Sequence, residues 1–204
     1  LASQRIGVAN VSIVGSVVAK GMDTAGLSIS RASNGALGNL NGFIGGDVLA
    51  AGSGARGLDL DLLGVNSALR WTLGGALLAH GDAAKGIEAR LTSSGDTYAH
   101  LSMAGPVETD GLGAIGVDID ATLNKAFSSD VVIKDHILVL GAESVGLNIK
   151  AYGASLAEVA VDAGAALVVS GDQGRGVQIQ MDASAIASDV SIDGITLLGS
   201  SSRG

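Results

Sequence analysis

One glycine motif recurs six times along this chain of 204 residues. In each copy a Gly is followed by four residues, a second Gly, an aliphatic residue, a polar residue, and then another aliphatic residue or Ala. The spacing between copies is 29 to 31 residues, and it holds over nearly the whole chain. A period of this length predicts one supersecondary unit stacked on copies of itself, which is a solenoid. The copies begin at Gly21, Gly52, Gly81, Gly111, Gly141 and Gly171.

Each repeat contains three short stretches with the pattern of a β-strand. The stretch after the second glycine alternates strictly, as in Leu58-Asp59-Leu60 and Val117-Asp118-Ile119. Period two with apolar residues at both ends places those side chains inward and the middle one outward. An aliphatic stretch such as Val48-Leu49-Ala50 precedes the glycine pair, and a less regular third stretch, such as Leu101-Ser102-Met103, completes the unit. Three strands with glycine at the corners predict one rung of a parallel β-helix.

The predicted fold is therefore all-β, a right-handed parallel β-helix of about six to seven rungs, each with ~30 residues and three strands. Glycine suits a corner that needs positive φ or close backbone approach, and parallel crossovers are right-handed. A helical repeat is the alternative, but an interior Gly costs a helix about 1 kcal/mol. The chain has 32 glycines, and its alternation has the period of a strand. Residues 1–204 are expected to form a single module.

Composition and charge narrow the class of partner. The net charge is −8 and the isoelectric point is about 4.6, which disfavours nucleic acid and anionic membranes because both carry negative charge. Hydrophobic residues make up 47% of the chain, yet no apolar run approaches the ~18 residues that span a bilayer, so no direct membrane insertion is expected. The chain has no cysteine, which excludes disulfides and Cys-based metal sites.

The strand before each glycine pair carries aliphatic residues at its outward position. Glu108 interrupts this series once. An apolar stripe of this size on a sheet face usually marks a contact, so we predict a partner interface there, with coverage by the chain's own loop as the alternative. We call these residues the aliphatic ladder: Val18, Leu49, Leu78, Leu138 and Val168.

The two ends of the repeat array show no recognisable cap. Residues after Ile195 begin a seventh copy of the motif, and Val11-Ser12-Ile13 resembles the third strand of a preceding rung. An open β-ladder needs covering, because its unpaired backbone groups recruit another strand. We therefore expect the array to continue in sequence or to stack end to end on other copies, as either a longer repeat protein or a stacking subunit.

Acidic residues occupy the outward position of three consecutive post-glycine strands, namely Asp59, Glu88 and Asp118. Like charges in adjacent layers repel, and a bound cation would relieve the repulsion. This pattern suggests a calcium site at these three residues, helped by Asp61 and Asp120. No other cofactor is indicated. The alternative is that neighbouring basic residues neutralise an ordinary solvated face, the candidates being Arg56, Lys85 and Arg90.

Acidic ladders on β-helices also suggest carbohydrate chemistry with paired carboxylates. Asp118 and Asp120, with Arg90 or Lys150, could form such a site in a polysaccharide lyase or hydrolase. Against this, no long insertion builds a cleft around them, and aromatic residues are scarce. The sequence from Gly111 to Gly116 matches a dinucleotide-binding fingerprint, but it precedes a strand, whereas that fingerprint opens a helix.

The segments GGDVLAAGSGARGLDLD, GGALLAHGDAAKGIEAR and AGPVETDGLGAIGVDID resemble the glycine- and alanine-rich repeats of autotransporter passenger domains and related large bacterial surface adhesins. The resemblance extends from Val17 to Gly204. It implies an extracellular right-handed β-helix exported to the bacterial cell surface.

The function expected from these patterns is that of a non-catalytic, extracellular structural or adhesive solenoid. It would serve as a rigid stalk or a self-assembling surface fibre. Its expected partners are other copies of itself, end to end or laterally, and a host or matrix surface. A carbohydrate-active enzyme is the alternative.

Overall fold

A computed structural model describes residues 7–32, 37–64, 66–123 and 125–198. Within these ranges the chain consists of β-strands joined by turns, and it contains no helix. The strands are β1 Gly7–Ile13, β2 Val17–Lys20, β3 Ala25–Ala32, β4 Leu37–Ile44, β5 Val48–Ala51, β6 Arg56–Gly64, β7 Asn66–Leu73, β8 Leu77–His80, β9 Lys85–Ser93, β10 Thr97–Met103, β11 Val107–Asp110, β12 Ile115–Leu123, β13 Ala126–Ile133, β14 Ile137–Val139, β15 Val145–Val169 and β16 Arg175–Leu197.

The strands stack into three faces, and every pairing is parallel. Face A contains β1, β4, β7, β10 and β13, face B contains β2, β5, β8, β11 and β14, and face C contains β3, β6, β9 and β12. The long strands β15 and β16 bend around the corners and continue all three faces. The predicted all-β parallel solenoid, with about six turns of three strands each, is confirmed.

Equivalent aliphatic residues from successive rungs lie in register inside the solenoid. Leu58 pairs with Ile87, which pairs with Val117. All three side chains are fully buried. Stacked at the strand spacing of about 4.8 Å, each column forms a continuous apolar wall. Along this column the interior therefore repeats a small aliphatic cross-section from rung to rung.

The two glycines of the motif occupy corners for two different reasons. The first glycine has positive φ in four copies, with values of 114° at Gly21 and 129° at Gly111. The second glycine is required by crowding, since a Cβ at Gly86 would lie 2.6 Å from the carbonyl oxygen of Gly116 and 2.7 Å from Leu77 Cγ. Glycine was expected at the corners for positive φ or close approach, and the structure uses both.

The residue two after the first glycine adopts the left-handed conformation in all six copies. Gly54 and Gly113 hold this position in two of them. The other four copies have side chains there, at Asp23, Ala83, Glu143 and Gln173, with φ between 52° and 57°. This conformation is unfavourable for a residue with a Cβ, because the Cβ comes too close to the following carbonyl oxygen.

We expect Ala83→Gly to stabilise the protein by up to about 1 kcal/mol, because removing the Cβ relieves that contact at an exposed position. The greater flexibility of Gly in the unfolded chain opposes part of the gain. Urea denaturation followed by circular dichroism measures the difference. A loss of stability in Ala83→Gly would contradict the strain argument.

A large side chain interrupts the small interior on face A. Trp71 is 1% exposed, and it pairs in register with Gly42 of the preceding rung. A Cβ at Gly42 would overlap the indole ring of Trp71. The missing side chain at Gly42 thus provides the space that the indole fills.

Candidate functional site

Face C carries a column of polar side chains that point outward yet are nearly buried. Asp59, Glu88 and Asp118 lie in register on β6, β9 and β12, and their side chains are 17%, 10% and 8% exposed. Asn148 continues the column on β15 and is 3% exposed. The predicted stacking of the three acids is confirmed. We call this column, with its basic partners, the charged ladder.

Basic residues bridge the rungs of the charged ladder. Lys85 Nζ lies 2.5 Å from Glu88 Oε1 and 2.6 Å from Asp118 Oδ2, so a single ammonium group joins two adjacent layers. Arg90 does the same with its guanidinium, 2.7 Å from Asp59 Oδ1 and 2.7 Å from Glu88 Oε2. Each acid of the column therefore has a cation partner, and the like-charge repulsion is compensated.

Two further contacts complete the charged ladder. Arg56 Nε lies 2.5 Å from Glu88 Oε2, which gives Glu88 three basic neighbours. Asn148 Nδ2 donates a hydrogen bond of 2.8 Å to Asp118 Oδ1. The side-chain contacts of the charged ladder thus link four consecutive rungs, in addition to the backbone pairing between them.

The charges shift the pKa values of the central pair in opposite directions. Burial alone raises the pKa of Glu88, but the hydrogen bond from Lys85 and the charges of Lys85, Arg90 and Arg56 outweigh it, so the pKa lies below the ordinary 4.5. Burial alone lowers the pKa of Lys85, but hydrogen bonds and charges from Asp118 and Glu88 raise it above 10.5. Glu88 and Lys85 are therefore both ionised at any pH between their two pKa values.

We expect acid to weaken the fold through Glu88. A lowered folded-state pKa contributes stability that is present above the unfolded value near 4.5 and is lost as the pH falls through the folded value. The melting temperature of the wild type should therefore drop between about pH 5 and about pH 2 more steeply than that of Glu88→Gln. Equal slopes in thermal melts across this range would show that Glu88 does not couple protonation to folding.

The three acids proposed to bind calcium already have basic partners in the charged ladder. The repulsion that calcium would relieve is already compensated by Lys85, Arg56 and Arg90. In the parts of the chain that the structure describes, no group of three or more His, Asp or Glu side chains is placed to hold a metal ion. Calcium binding at Asp59, Glu88 and Asp118 stays a prediction, and a calcium titration of the melting temperature tests it.

The aliphatic ladder lies on face B as the sequence places it. Val18 pairs with Leu49, Leu49 with Leu78, and Leu138 with Val168, with Glu108 between the two halves. Val18 is 51% exposed and the others are half-buried, so no described segment of the chain buries them. The stripe is accessible from outside.

Face A carries a polar and aromatic cluster that the sequence analysis did not predict. The rings of Tyr98 and His100 are parallel, with centroids 6.3 Å apart, and the Arg70 guanidinium lies 5.1 Å from the centroid of the Tyr98 ring. His100 Nδ1 is 2.9 Å from Asp130 Oδ2 on the next rung. The only available signal was the outward position of these residues in the third stretch of three successive repeats.

Comparisons of the chain with known protein families, with curated proteins and with solved structures found no match. The described part of the chain has no helix that could span a membrane.

Proposed function

We propose that this chain is a non-catalytic structural solenoid that acts outside the cell as a rigid stalk or a self-assembling surface fibre. One observation carries the proposal, which is the residue-for-residue register of each face through the described rungs. Among the strand pairings that the structure describes, register shifts occur between β15 and β16 only, near Tyr152 and near Ala163. Seven stacked strands on face A span about 29 Å at the strand spacing. A stack paired in this way resists bending, because any bend must break backbone hydrogen bonds.

The charged ladder supports a structural role. Asp118, on which the carbohydrate-cleaving alternative depends, is held by Lys85 from the preceding rung and by Asn148 from the next. Both contacts join layers of the stack. A catalytic carboxylate must be free to exchange a proton with the substrate, so this environment favours cohesion over catalysis.

The extracellular location rests on the repeat sequences. Their resemblance to autotransporter passenger domains and bacterial surface adhesins supports an adhesin-like position at the bacterial cell surface. Besides other copies of itself, a solenoid in this position would meet a host or matrix surface.

The aliphatic ladder supplies the lateral contact of the proposed fibre, with a second copy of this chain as the occupant. Its residues form a straight stripe parallel to the solenoid axis, so two antiparallel or parallel rods can place their stripes against each other along their length. Glu108, which is half-buried, interrupts the stripe at its centre, between Leu78 and Leu138. Apolar stripes of this kind on otherwise charged surfaces favour association.

The rung formed by β16 provides the end contact. In the described part of the chain, β16 pairs with β15 alone. Its inward side chains Val177, Ile179 and Ile192 are only half-buried, although they pack against the core. A further rung, from the same chain or from a second copy, would bury them and pair the backbone of β16.

Electron microscopy and analytical ultracentrifugation test the proposal together. We expect elongated rods that associate as the protein concentration rises. The double variant Leu78→Lys and Leu138→Lys should lose the lateral association and keep its melting temperature, because both lysines lie beside Glu108. Thr72→Lys on face A is the matched control and should associate as the wild type does. A wild type that stays monomeric and compact at all concentrations would refute the fibre.

A further inference from the structure

We propose that face A contains a binding groove for an uncharged or positively charged glycan, with Tyr98 as the platform on which a sugar ring packs. The inference rests on the contact with a host or matrix surface proposed above, and it names the chemistry that the chain would recognise there. The groove begins at a cleft of 460 Å³, whose residues come from three adjacent rungs. Asn66, Asp96, Tyr98 and Ser128 are among the residues that line it.

One side of the Tyr98 ring is covered by protein, and register shows which side it is. Arg70 and His100 are paired with each other and lie two residues beyond the level of Tyr98 along the strand direction. Both pack against the ring. Asn66 and Asp96 lie two residues before the level of Tyr98, and they line the cleft. The cleft is therefore on the side of the ring opposite Arg70 and His100.

This arrangement fixes the ring before any ligand arrives. Arg70 and His100 limit the rotamers of Tyr98, so little conformational entropy is lost on binding. The face of an aromatic ring carries negative charge density, which attracts the polarised C–H groups of a sugar. A preorganised ring beside polar side chains suits a ligand that has an apolar face and a polar edge, as a sugar ring has.

The rim and floor of the cleft supply hydrogen-bonding groups for sugar hydroxyls. The carboxylate of Asp96 is at an exposed residue and Ser128 is half-buried, and both line the cleft. Asn66 Oδ1 accepts a hydrogen bond of 2.8 Å from the backbone N–H of Asp96, which orients the amide.

The cleft continues along the solenoid axis. A second depression of 290 Å³ shares Ser128 with it and runs over the following rungs, where Asp130, Glu158 and Asp189 line it. Together the two depressions form one groove across consecutive layers, which suits a linear chain of sugars better than a single ring. The combined size lies in the range of ordinary ligand sites.

Charge selects among glycans. Asp96, Glu158 and Asp189 are exposed carboxylates along the groove, whereas His100 is engaged with Asp130 and Arg70 with the Tyr98 ring. An acidic polysaccharide would be repelled by this row and by the net charge of −8. An uncharged glycan or one bearing amino groups would meet no such barrier.

Isothermal titration of the intact chain with three probes tests the proposal. The probes are cellohexaose, a chitosan hexamer and a galacturonate hexamer, which are uncharged, cationic and anionic. We expect saturable binding of cellohexaose, the chitosan hexamer or both, with the galacturonate hexamer binding at least about tenfold more weakly. Tyr98→Ala should weaken binding by about tenfold or more, and Tyr98→Phe should retain it, because the ring is kept.

Tyr152→Ala is the matched control, since Tyr152 is a half-buried tyrosine on face C, away from the groove. It should bind as the wild type does. The proposal is overturned if neither cellohexaose nor the chitosan hexamer binds, or if the galacturonate hexamer binds as tightly as the others. It is also overturned if Tyr98→Ala and the control Tyr152→Ala lose binding equally. Fibre formation does not depend on Tyr98, so rods that bind no glycan would reject the groove and leave the structural role standing.

Discussion

Replacing Trp71 by Ala should lower the free energy of unfolding by about 3–5 kcal/mol, the range for removing a fully buried large aromatic side chain. Trp71 is among the largest fully buried side chains, and the rungs above and below are held in register by backbone pairing. The site therefore collapses little, and a cavity remains. Urea denaturation followed by circular dichroism measures the loss, since the chain has a single Trp and the variant has no indole fluorescence.

The contact between Gly42 and Trp71 can be tested by a double-mutant cycle. Gly42→Val alone should cost about 1–3 kcal/mol or more, because its side chain would overlap the indole. In the Trp71→Ala background the same valine should fill part of the cavity, so its cost should vanish or become a gain. A double-mutant cycle would then give a coupling of about 2 kcal/mol or more. Additive costs would contradict the contact between these two rungs.

Replacing Gly86 by Ala should destabilise the protein by about 3 kcal/mol, at the upper end of the range for overpacking. The added Cβ would lie 2.6 Å from the carbonyl oxygen of Gly116, which is backbone and cannot rotate away. Separating the two rungs locally would weaken the pairing between β9 and β12.

Gly15→Ala is the matched control, because a Cβ there has no neighbouring atom within 4 Å. It should be neutral or stabilise by less than about 1 kcal/mol, through the reduced freedom of the unfolded chain. Thermal and urea melts of the two variants decide the point. Equal stability of Gly86→Ala and Gly15→Ala would show that the glycine corners are not stacked as described.

The recurring features of this fold could be predicted from the sequence, because recurrence is what reveals them. The column of Leu58, Ile87 and Val117 follows from the motif, since equivalent residues of a stacked repeat must lie over one another. The stacking of Asp59 and Glu88 follows in the same way.

The features that occur once could not be found in this way. Gly42 and Trp71 complement each other in volume, but this is visible only when the register of β4 against β7 is known. Tyr98 is the single aromatic residue of its column, so a search for repetition passes over it.

The distances between equivalent positions of distant rungs test the stack most directly. The chain has no cysteine, so spin labels can be attached at introduced cysteines alone. Ser12, Phe43, Asp162 and Ser191 are exposed residues that belong to one register column on face A. Phe43 and Asp162 are four rungs apart, Ser12 and Asp162 five, and Ser12 and Ser191 six.

Double electron–electron resonance on Phe43→Cys/Asp162→Cys, Ser12→Cys/Asp162→Cys and Ser12→Cys/Ser191→Cys measures these three separations. We predict mean distances of about 19, 24 and 29 Å, which rise by about 4.8 Å for each added rung. Distances that fail to rise in equal steps of this size would contradict the stacked solenoid.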